Sequence, residues 1–204
     1  SFVEAAKSKE ASRVAKRGLD LIGAAAGLVI LAILTPLIIP AIWFDSGRPI
    51  FFRQRRVGRG GERFELVKFR TMTQNAEGDG YPQWASRRDP RVTRVGRVLR
   101  RTRLDELPNV LNVLRGEMSL VGPRPERPEF VVQLEREIPF YRIRLLVRPG
   151  LTGWAQVSHP YGDSVDGARE KLEYDLYYMK HRSLWFDLSI LSRTIWTVVG
   201  LKGR

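Results

Sequence analysis

The chain contains no cysteine. This absence excludes a disulfide framework, cysteine-ligated zinc, iron–sulfur clusters and a thiol nucleophile. Histidine is scarce as well, because His159 and His181 are the only two, which is too few for a histidine-rich metal centre. The 204 residues are nevertheless 43% hydrophobic and 10% aromatic. That excludes a disordered basic tail, and the length suits one domain with a sizeable core.

Acidic residues are few relative to basic ones. Asp and Glu number 22 against 35 Lys and Arg, so the formal net charge is +13, and 28 of the basic residues are Arg. Arginine pairs bidentately with phosphate and carboxylate groups, whereas a merely soluble basic surface would use lysine freely. Between Arg53 and Arg103 the net charge is +10, from 15 basic and 5 acidic residues. The composition therefore predicts a phosphorylated partner, which is a nucleic acid, a lipid or a small molecule.

Charge is absent from one long segment, the 24 residues from Leu21 to Phe44. A helix of that length would span the ~30 Å hydrocarbon core of a bilayer. Two features favour instead a re-entrant helix, which bends within the membrane and returns to the same face. Pro36 and Pro40 each remove a backbone N–H from the helix. Basic residues also flank both ends, whereas a spanning helix has its Lys and Arg mainly on the cytoplasmic side. We predict a break at Pro36, with a kinked spanning helix as the alternative.

The rest of the chain predicts an α+β fold that is mainly helical. Runs rich in Phe, Val and Arg flank the glycines at 58–61, which is typical of a small β-hairpin, and residues 73–90 have the composition of a loop. The tail at 183–200 is apolar but carries charges, which fits either a core helix or an amphipathic helix at the membrane surface. We favour interfacial amphipathic helices, with Trp43, Trp185 and Trp196 at the level of the lipid headgroups.

An adjacent acid pair, Asp105 and Glu106, follows the arginine-rich stretch. Pro108 behind it suits the first turn of a helix. An acidic residue at such a place is commonly a helix cap, and local spacing alone favours that interpretation. The surrounding positive charge favours a functional alternative, because it would hold the pair ionised and close to a bound phosphate. The pair would then provide a nucleophile or ligands for Mg²⁺.

Several motifs occur in an order that resembles the bacterial sugar transferase family, the monotopic polyprenol-phosphate phosphoglycosyl transferases. They are KRGLD at 16–20, the proline-containing apolar run, GRP at 47–49, QRRVG at 54–58, KFRTM at 68–72, RRTRLDELPN at 100–109, SLVGPRP at 119–125 and RPGLTGW at 148–154. The resemblance covers about residues 13–200. The stretch KLEYDLYY at 171–178 resembles the longer members of the family, so we expect the chain to correspond to their catalytic C-terminal part.

The resemblance implies a Mg²⁺-dependent enzyme that transfers a sugar-1-phosphate from a UDP-sugar to membrane polyprenol (undecaprenyl) phosphate and releases UMP. It implies a covalent phosphosugar–aspartate intermediate and a role at the start of glycoconjugate, lipopolysaccharide or exopolysaccharide assembly. By the same resemblance Asp105 is the nucleophile, Glu106 lies beside it, and both are candidate metal ligands. Five basic residues are expected to neutralise the substrate phosphates: Lys68, Arg70, Arg91, Arg124 and Arg148.

The resemblance also implies a location at the cytosolic face of the bacterial inner membrane, in contact with membrane lipids. It divides the chain into an amphipathic segment at 1–18, a re-entrant membrane helix at 19–45 and a catalytic domain at 46–204. A nucleic-acid-binding protein would suit the arginine content, but the uncharged run argues against it, and no nucleic acid is expected as a partner. A catalytically silent adaptor for anionic lipids is the other alternative. The sequence does not identify the sugar and leaves open whether a homodimer forms.

Overall fold

A computed structural model describes residues 2–74, 76, 89–159 and 164–200, with side chains from residue 10 onward except that of residue 199. In chain order its elements are α1 (Phe2–Ser46), β1 (Phe51–Val57), a three-residue 3₁₀ turn (Arg59–Gly61), β2 (Arg63–Phe69), α2 (Arg94–Arg101), a first longer 3₁₀ helix (Leu104–Asn109), α3 (Val110–Arg115), β3 (Ser119–Val121), α4 (Pro128–Glu137), a second 3₁₀ helix (Tyr141–Leu146), β4 (Gly150–Thr152), α5 (Trp154–Ser158), α6 (Val165–His181) and α7 (Leu184–Val199). The prediction of a mainly helical fold with a small hairpin is confirmed. The loop predicted at 73–90 lies largely outside the described residues.

One side of α1 packs on the rest of the fold, and the other side is bare. Ala24, Ile38 and Ile42 are buried in contacts with the hairpin, α2 and α3. Large apolar side chains such as Leu37 and Phe44 are 70% and 82% exposed on the opposite side. Only 11% of the most apolar stretch is buried. Within the described part of the chain, Glu10–Ser46 is the segment that is long and apolar enough to cross a membrane.

The assigned helix α1 continues through Pro36 and Pro40, so the predicted break at Pro36 is not confirmed. A proline removes one N–H and need not end a helix when packing on both sides holds the chain in place. Leu31 and Leu34 pack before Pro36, and Ile38 and Ile42 pack after it, all against the same cluster. The boundaries predicted at residues 18 and 45 stay predictions, since α1 covers both of the first two segments.

Polar contacts tie α1 to the body of the fold on both sides of its apolar run. Before the run, Lys16 Nζ donates to Asp187 Oδ2 at 2.7 Å, and Asp20 Oδ1 accepts from Ser119 Oγ at 2.9 Å. At the end, Asp45 Oδ2 accepts from the backbone N–H of Val95 at 2.9 Å. The contacts made by α1 therefore reach α7, β3 and α2, and they run along the whole apolar segment.

Two short strand pairs build the surface behind the acid pair. The hairpin strands β1 and β2 are antiparallel, with Phe51 opposite Phe69 and Val57 opposite Arg63. Strands β3 and β4 are parallel, with Ser119 opposite Gly150. The sequence analysis did not foresee this parallel pair, because three-residue strands give little alternation to read. It joins the SLVGPRP motif to the RPGLTGW motif, which are far apart in the chain.

Helix α7 combines a buried side with an exposed aromatic one. Ile190 and Asp187 are fully buried, whereas Trp185 and Trp196 are 83% and 76% exposed. Trp43, on α1, is also exposed. An amphipathic helix of this kind suits a membrane surface. Its placement there stays a prediction.

Candidate active site

The acid pair lies in a turn fixed by an uncommon backbone conformation. After α2 ends at Arg101, Arg103 adopts the left-handed conformation with φ 57°, which few residues other than glycine do. The chain then enters the 3₁₀ helix with Asp105 and Glu106 in its first turn. Neither this helix nor α3 receives a side-chain capping hydrogen bond, so the geometry does not support a capping role for Asp105.

Glu106 lies within a cluster of cations. Its Oε1 accepts hydrogen bonds from Lys68 Nζ and from Arg124 Nη2, each at 2.6 Å, and Arg103 Nη1 lies 3.9 Å from Oε2. Burial alone would raise the pKa of Glu106, but Arg124 and Lys68 outweigh it and hold this pKa well below its usual range. Burial lowers the pKa of Lys68, and Glu106 opposes that change. Glu106 is therefore ionised and joins β2 to the loop after β3.

Asp105 has a different environment, although it is the next residue. It is 8% exposed, and within the described residues its carboxylate receives no hydrogen bond. Burial and the charge of Glu106 raise the pKa of Asp105 to about 6, against the opposing effects of Lys68 and Arg100. Its oxygen lone pairs thus stay available for an electrophile, whereas those of Glu106 are occupied. Such divergent environments for two carboxylates are typical of catalytic pairs.

Arg124 is held in place by a buried scaffold behind it. Arg144 donates from Nη2 to the backbone carbonyl of Arg124 at 2.9 Å and binds Asp175 Oδ2 through Nη2 at 2.8 Å and Nε at 3.0 Å. Tyr141 Oη accepts a fourth bond, from Arg144 Nη1, at 2.8 Å. Arg144 and Asp175 are both buried. The loop that presents Arg124 to Glu106 is therefore braced by α6 and by the second 3₁₀ helix.

The other three predicted phosphate-binding residues make their contacts away from Glu106 in the described part of the chain. Arg70 is buried at the end of α1, where it donates to the carbonyls of Ser46 and Gly47. Arg91 pairs with Asp89 at 2.6 Å. Arg148 is half-buried beside the end of α3. The structure thus unites Lys68, Arg124 and the acid pair, and a phosphate-binding role for the other three stays a prediction.

A cleft beside Glu106 contains two residues that the sequence analysis did not select, Arg56 and Asn109. Leu66, Met118 and Leu151 form its apolar walls. Both polar residues lie within motifs that carried the resemblance, so motif membership was the available signal. Their burial and their missing partners are visible only in three dimensions, because they come from β1 and from the 3₁₀ helix.

The donor set at this site fits Mg²⁺ in one respect. No group of three or more His, Cys, Asp or Glu side chains suited to a metal occurs among the described residues. Mg²⁺ does not require such a group, because it is often bound through one or two carboxylates together with substrate phosphates and water. Asp105 and Glu106 supply two adjacent carboxylates, and that of Asp105 has no hydrogen bond in the described part of the chain. The pair therefore fits Mg²⁺ that is shared with a phosphorylated substrate.

Comparison with known proteins identifies the family of the chain. The family model for the bacterial sugar transferases matches residues 11–201. The chain therefore belongs to the bacterial sugar transferase family. The matched range includes all the residues of the candidate site described above.

Individual relatives have related names. The chain is 48% identical over 187 residues to the UDP-N-acetylgalactosamine-undecaprenyl-phosphate N-acetylgalactosaminephosphotransferase of Aeromonas hydrophila, covering 90% of this chain and 43% of the relative. It is 46% identical to a UDP-glucose:undecaprenyl-phosphate glucose-1-phosphate transferase of Caulobacter vibrioides, covering 88% of this chain and 68% of the relative. It is 38% identical to the exopolysaccharide production protein ExoY of Rhizobium meliloti, covering 89% and 84%. The chain spans less than half the length of several curated relatives that it matches.

Proposed function

We propose that the chain transfers a sugar-1-phosphate from a UDP-sugar to polyprenol phosphate, in the first membrane step of a bacterial glycoconjugate or exopolysaccharide pathway. The observation that carries this proposal is the carboxylate of Asp105, which has no hydrogen bond within the described residues and lies beside the Lys68–Glu106–Arg124 cluster. The family and the names of the relatives support the substrate classes. A catalytically silent lipid adaptor would not need an unpaired buried carboxylate, which costs free energy.

The reaction has two displacements at one phosphorus atom. In the first, an Asp105 oxygen attacks the phosphorus next to the sugar, the phosphoanhydride bond breaks, and UMP leaves with the bonding electron pair. In the second, a phosphate oxygen of the polyprenol phosphate attacks the same phosphorus, and the bond to Asp105 breaks and restores the carboxylate. Lys68 and Arg124 neutralise the diphosphate, so that two anions can approach each other. The raised pKa of Asp105 is consistent with a carboxylate that binds the incoming phosphorus readily.

Mg²⁺, when bound, would neutralise the charge that develops on the departing phosphate. Glu106, with Asp105, is the residue that would hold it together with the substrate oxygens. In the structure, Lys68 and Arg124 both bind Oε1 of Glu106. The substrate phosphates are competing ligands for these two cations. Their binding would leave Glu106 able to turn toward the metal.

The membrane arrangement that we propose is monotopic, with both ends of the apolar run at the cytosolic face of the inner membrane. Lys16 and Asp20 bind α7 and β3, and Asp45 binds α2, so the two ends contact one folded body. A helix crossing the bilayer would have lipid around its middle, whereas Ala24 and Ile38 of α1 are buried against this body. The bare side of α1 and the exposed Trp185 and Trp196 of α7 would face the lipid. This position brings the site to the plane of the polyprenol phosphate headgroup.

The substitution Asp105→Asn tests the nucleophile. It keeps the size of the side chain and should preserve the fold, but an amide oxygen is a far weaker nucleophile than a carboxylate. We expect UMP release from UDP-sugars, measured with undecaprenyl phosphate and Mg²⁺, to fall on the order of 10³-fold or more. Native protein incubated with UDP-sugar and Mg²⁺, but without polyprenol phosphate, should gain the mass of a phosphosugar on the peptide containing Asp105. Full activity in the Asn variant would contradict the assignment.

A further inference from the structure

The side chain of Asn109 is buried without the hydrogen bond that such a group normally requires. It is 2% exposed, and its Oδ1 has no partner within the described residues. Asn112, three residues later and equally buried, shows the ordinary situation, since its Nδ2 donates to the Glu65 carbonyl at 2.8 Å and to Glu117 Oε2 at 2.7 Å. A buried polar group left unpaired costs about 1–3 kcal/mol. A ligand that donates a hydrogen bond to Asn109 Oδ1 would remove this cost.

Arg56 lines the same cleft with a second unpaired atom. Its Nη1 donates to the carbonyl of Pro125 at 3.0 Å and its Nη2 donates to Gln54 Oε1, but its Nε is buried without a partner among the residues that the structure describes. The two bonds fix the guanidinium, so the Nε donor has a defined position. Arg56 and Asn109 both line the cleft, so it is bordered by two side chains that each have one buried atom without a partner in the described part of the chain.

These two atoms are complementary to a group that both donates and accepts. A hydroxyl has this property, because its O–H can donate to Asn109 Oδ1 while hydroxyl and ether oxygens can accept from Arg56 Nε. A phosphate does not, since an ionised phosphate oxygen cannot donate to Asn109. The cleft also begins at Glu106, Lys68 and Arg124, where the attacked phosphate is proposed to bind. In a UDP-sugar the sugar is attached directly to that phosphate, whereas the uridine is separated from it by a second one.

We propose that Asn109 and Arg56 form a sugar-recognition subsite, in which Asn109 accepts a hydrogen bond from a hydroxyl of the transferred sugar and Arg56 Nε donates to an oxygen of the same sugar. The proposal rests on the proposed function and adds the residues that select the substrate. Sites built to pair with a hydroxyl reject analogues without it, because the buried polar group is then left unpaired. Asn109 is therefore a determinant of which UDP-sugar reacts.

The test compares kcat/KM for UMP release across a panel of UDP-hexoses and the monodeoxy analogues of the best of them. For the native protein, we expect one deoxy analogue to react at least about 100-fold more slowly than its parent. In Asn109→Ala, the parent should fall to the level of that analogue while the analogue itself is unchanged, so their ratio approaches one. Asn109→Leu, which fills the space with an apolar side chain, should give the same ratio and guards against an effect of the cavity.

Asn112→Ala is the matched control, because it removes an equally buried amide from α3, three residues further along the chain. It should lower the thermal unfolding temperature by several degrees and leave the selectivity ratio at its native value, since two existing hydrogen bonds are lost. Asn109→Ala should leave the unfolding temperature within about 2 °C of native, because no bond of its side-chain oxygen is lost.

Three results would overturn the subsite. One is an equal loss for every UDP-sugar in Asn109→Ala, which would point to the uridine or to the fold. Another is an unchanged ratio, and the third is a fall in unfolding temperature like that of Asn112→Ala, which would indicate a structural water on Asn109. A native protein that releases no UMP from any sugar would instead overturn the proposed function, and the subsite with it.

Discussion

Two neighbouring carboxylates differ here because their neighbours differ. Glu106 accepts charge-assisted bonds from Lys68 and Arg124, whereas Asp105 is enclosed without a hydrogen bond within the described residues. The left-handed residue Arg103 is what turns the chain so that the two side chains enter different surroundings. In a regular helix, by contrast, the side chains of two successive residues differ only in the direction in which they leave the helix axis. The chemistry that we propose depends on this asymmetry, with one carboxylate bound by cations and one open to attack phosphorus.

Removing the charge of Glu106 should destabilise the fold as well as the reaction. Glu106→Gln leaves Lys68 and Arg124 close together without the anion between them, so we expect the free energy of unfolding to fall by about 1–3 kcal/mol. UMP release should also fall and require more Mg²⁺. Thermal unfolding and Mg²⁺ titrations of activity measure the two effects.

Glu65→Gln is the control for this prediction. Glu65 pairs with Arg53 at 2.9 Å on the same hairpin, but both side chains are largely exposed, at 52% and 69%. Such a pair contributes little, so we expect a change within about 0.5 kcal/mol and normal activity. Equal effects from both substitutions would show that the cation cluster around Glu106 has no special role.

At the level of elements, the sequence predicted correctly the hairpin, whose turn depends on neighbouring residues. The glycines at 58–61 between two β-prone runs were enough to predict the hairpin, and the hairpin then carries Lys68 and Arg56 on adjacent strands. Leu104–Asn109 was harder, because an acidic residue before a proline is compatible with a cap, a turn or a functional pair. Only the contacts of Glu106 distinguish these. The residues that bind Glu106 are Lys68 on β2 and Arg124 in the loop after β3, which are 38 and 18 residues from Glu106 in the chain.

The features that sequence could not predict are those set by packing between distant segments. Nothing in the apolar run indicates that Gly23 and Gly27 face the catalytic body, although Leu120 and Val110 approach them closely. Nothing in SLVGPRP indicates a parallel partner at Gly150–Thr152. The same holds for Arg56 and Asn109, whose free atoms are identified only when every neighbour has been placed. The motifs therefore do not distinguish the residues that pack in the fold from those that we propose to bind a ligand.

Gly27 gives a direct test of how α1 packs on the site. A Cβ at this position would lie 2.7 Å from Val110 Cγ1, closer than side chains approach, and Val110 directly follows Asn109. Because overpacking costs about 1–3 kcal/mol, Gly27→Ala should lower the unfolding temperature measured by circular dichroism in lipid nanodiscs. Gly18→Ala lies on the same helix with nothing within 4 Å, and it should be neutral or stabilising by about 0.5–1 kcal/mol. Similar results for both would contradict the close packing of α1 on α3.

At the level of the whole molecule, charge and apolarity have separate places. The charge-free run lies on α1, and the arginine-rich stretch from Arg53 to Arg103 follows it and ends beside Asp105. Residues in this stretch line the cleft beside Glu106, brace α1 or are exposed to solvent, and Arg56, Arg70 and Arg97 are respective examples. The net charge of +13 is thus distributed over a surface that would adjoin anionic headgroups, lipid phosphate and nucleotide sugar.

The proposed monotopic arrangement places the apolar run of α1 and the arginine-rich stretch at the same membrane face. Two single-cysteine variants can test it. The native chain has none, so Ser12→Cys and Arg59→Cys each introduce a single thiol at an exposed position before and after the apolar run. A monotopic arrangement predicts that an impermeant maleimide labels both in inverted inner-membrane vesicles and neither in intact spheroplasts. Detergent-solubilised protein, in which both must react, is the control for thiol accessibility. A spanning helix predicts labelling from opposite sides. It would also require the contacts of Lys16 and Asp45 with one folded body to break, which would leave the buried carboxylate of Asp187 bonded to Tyr178 but without its lysine.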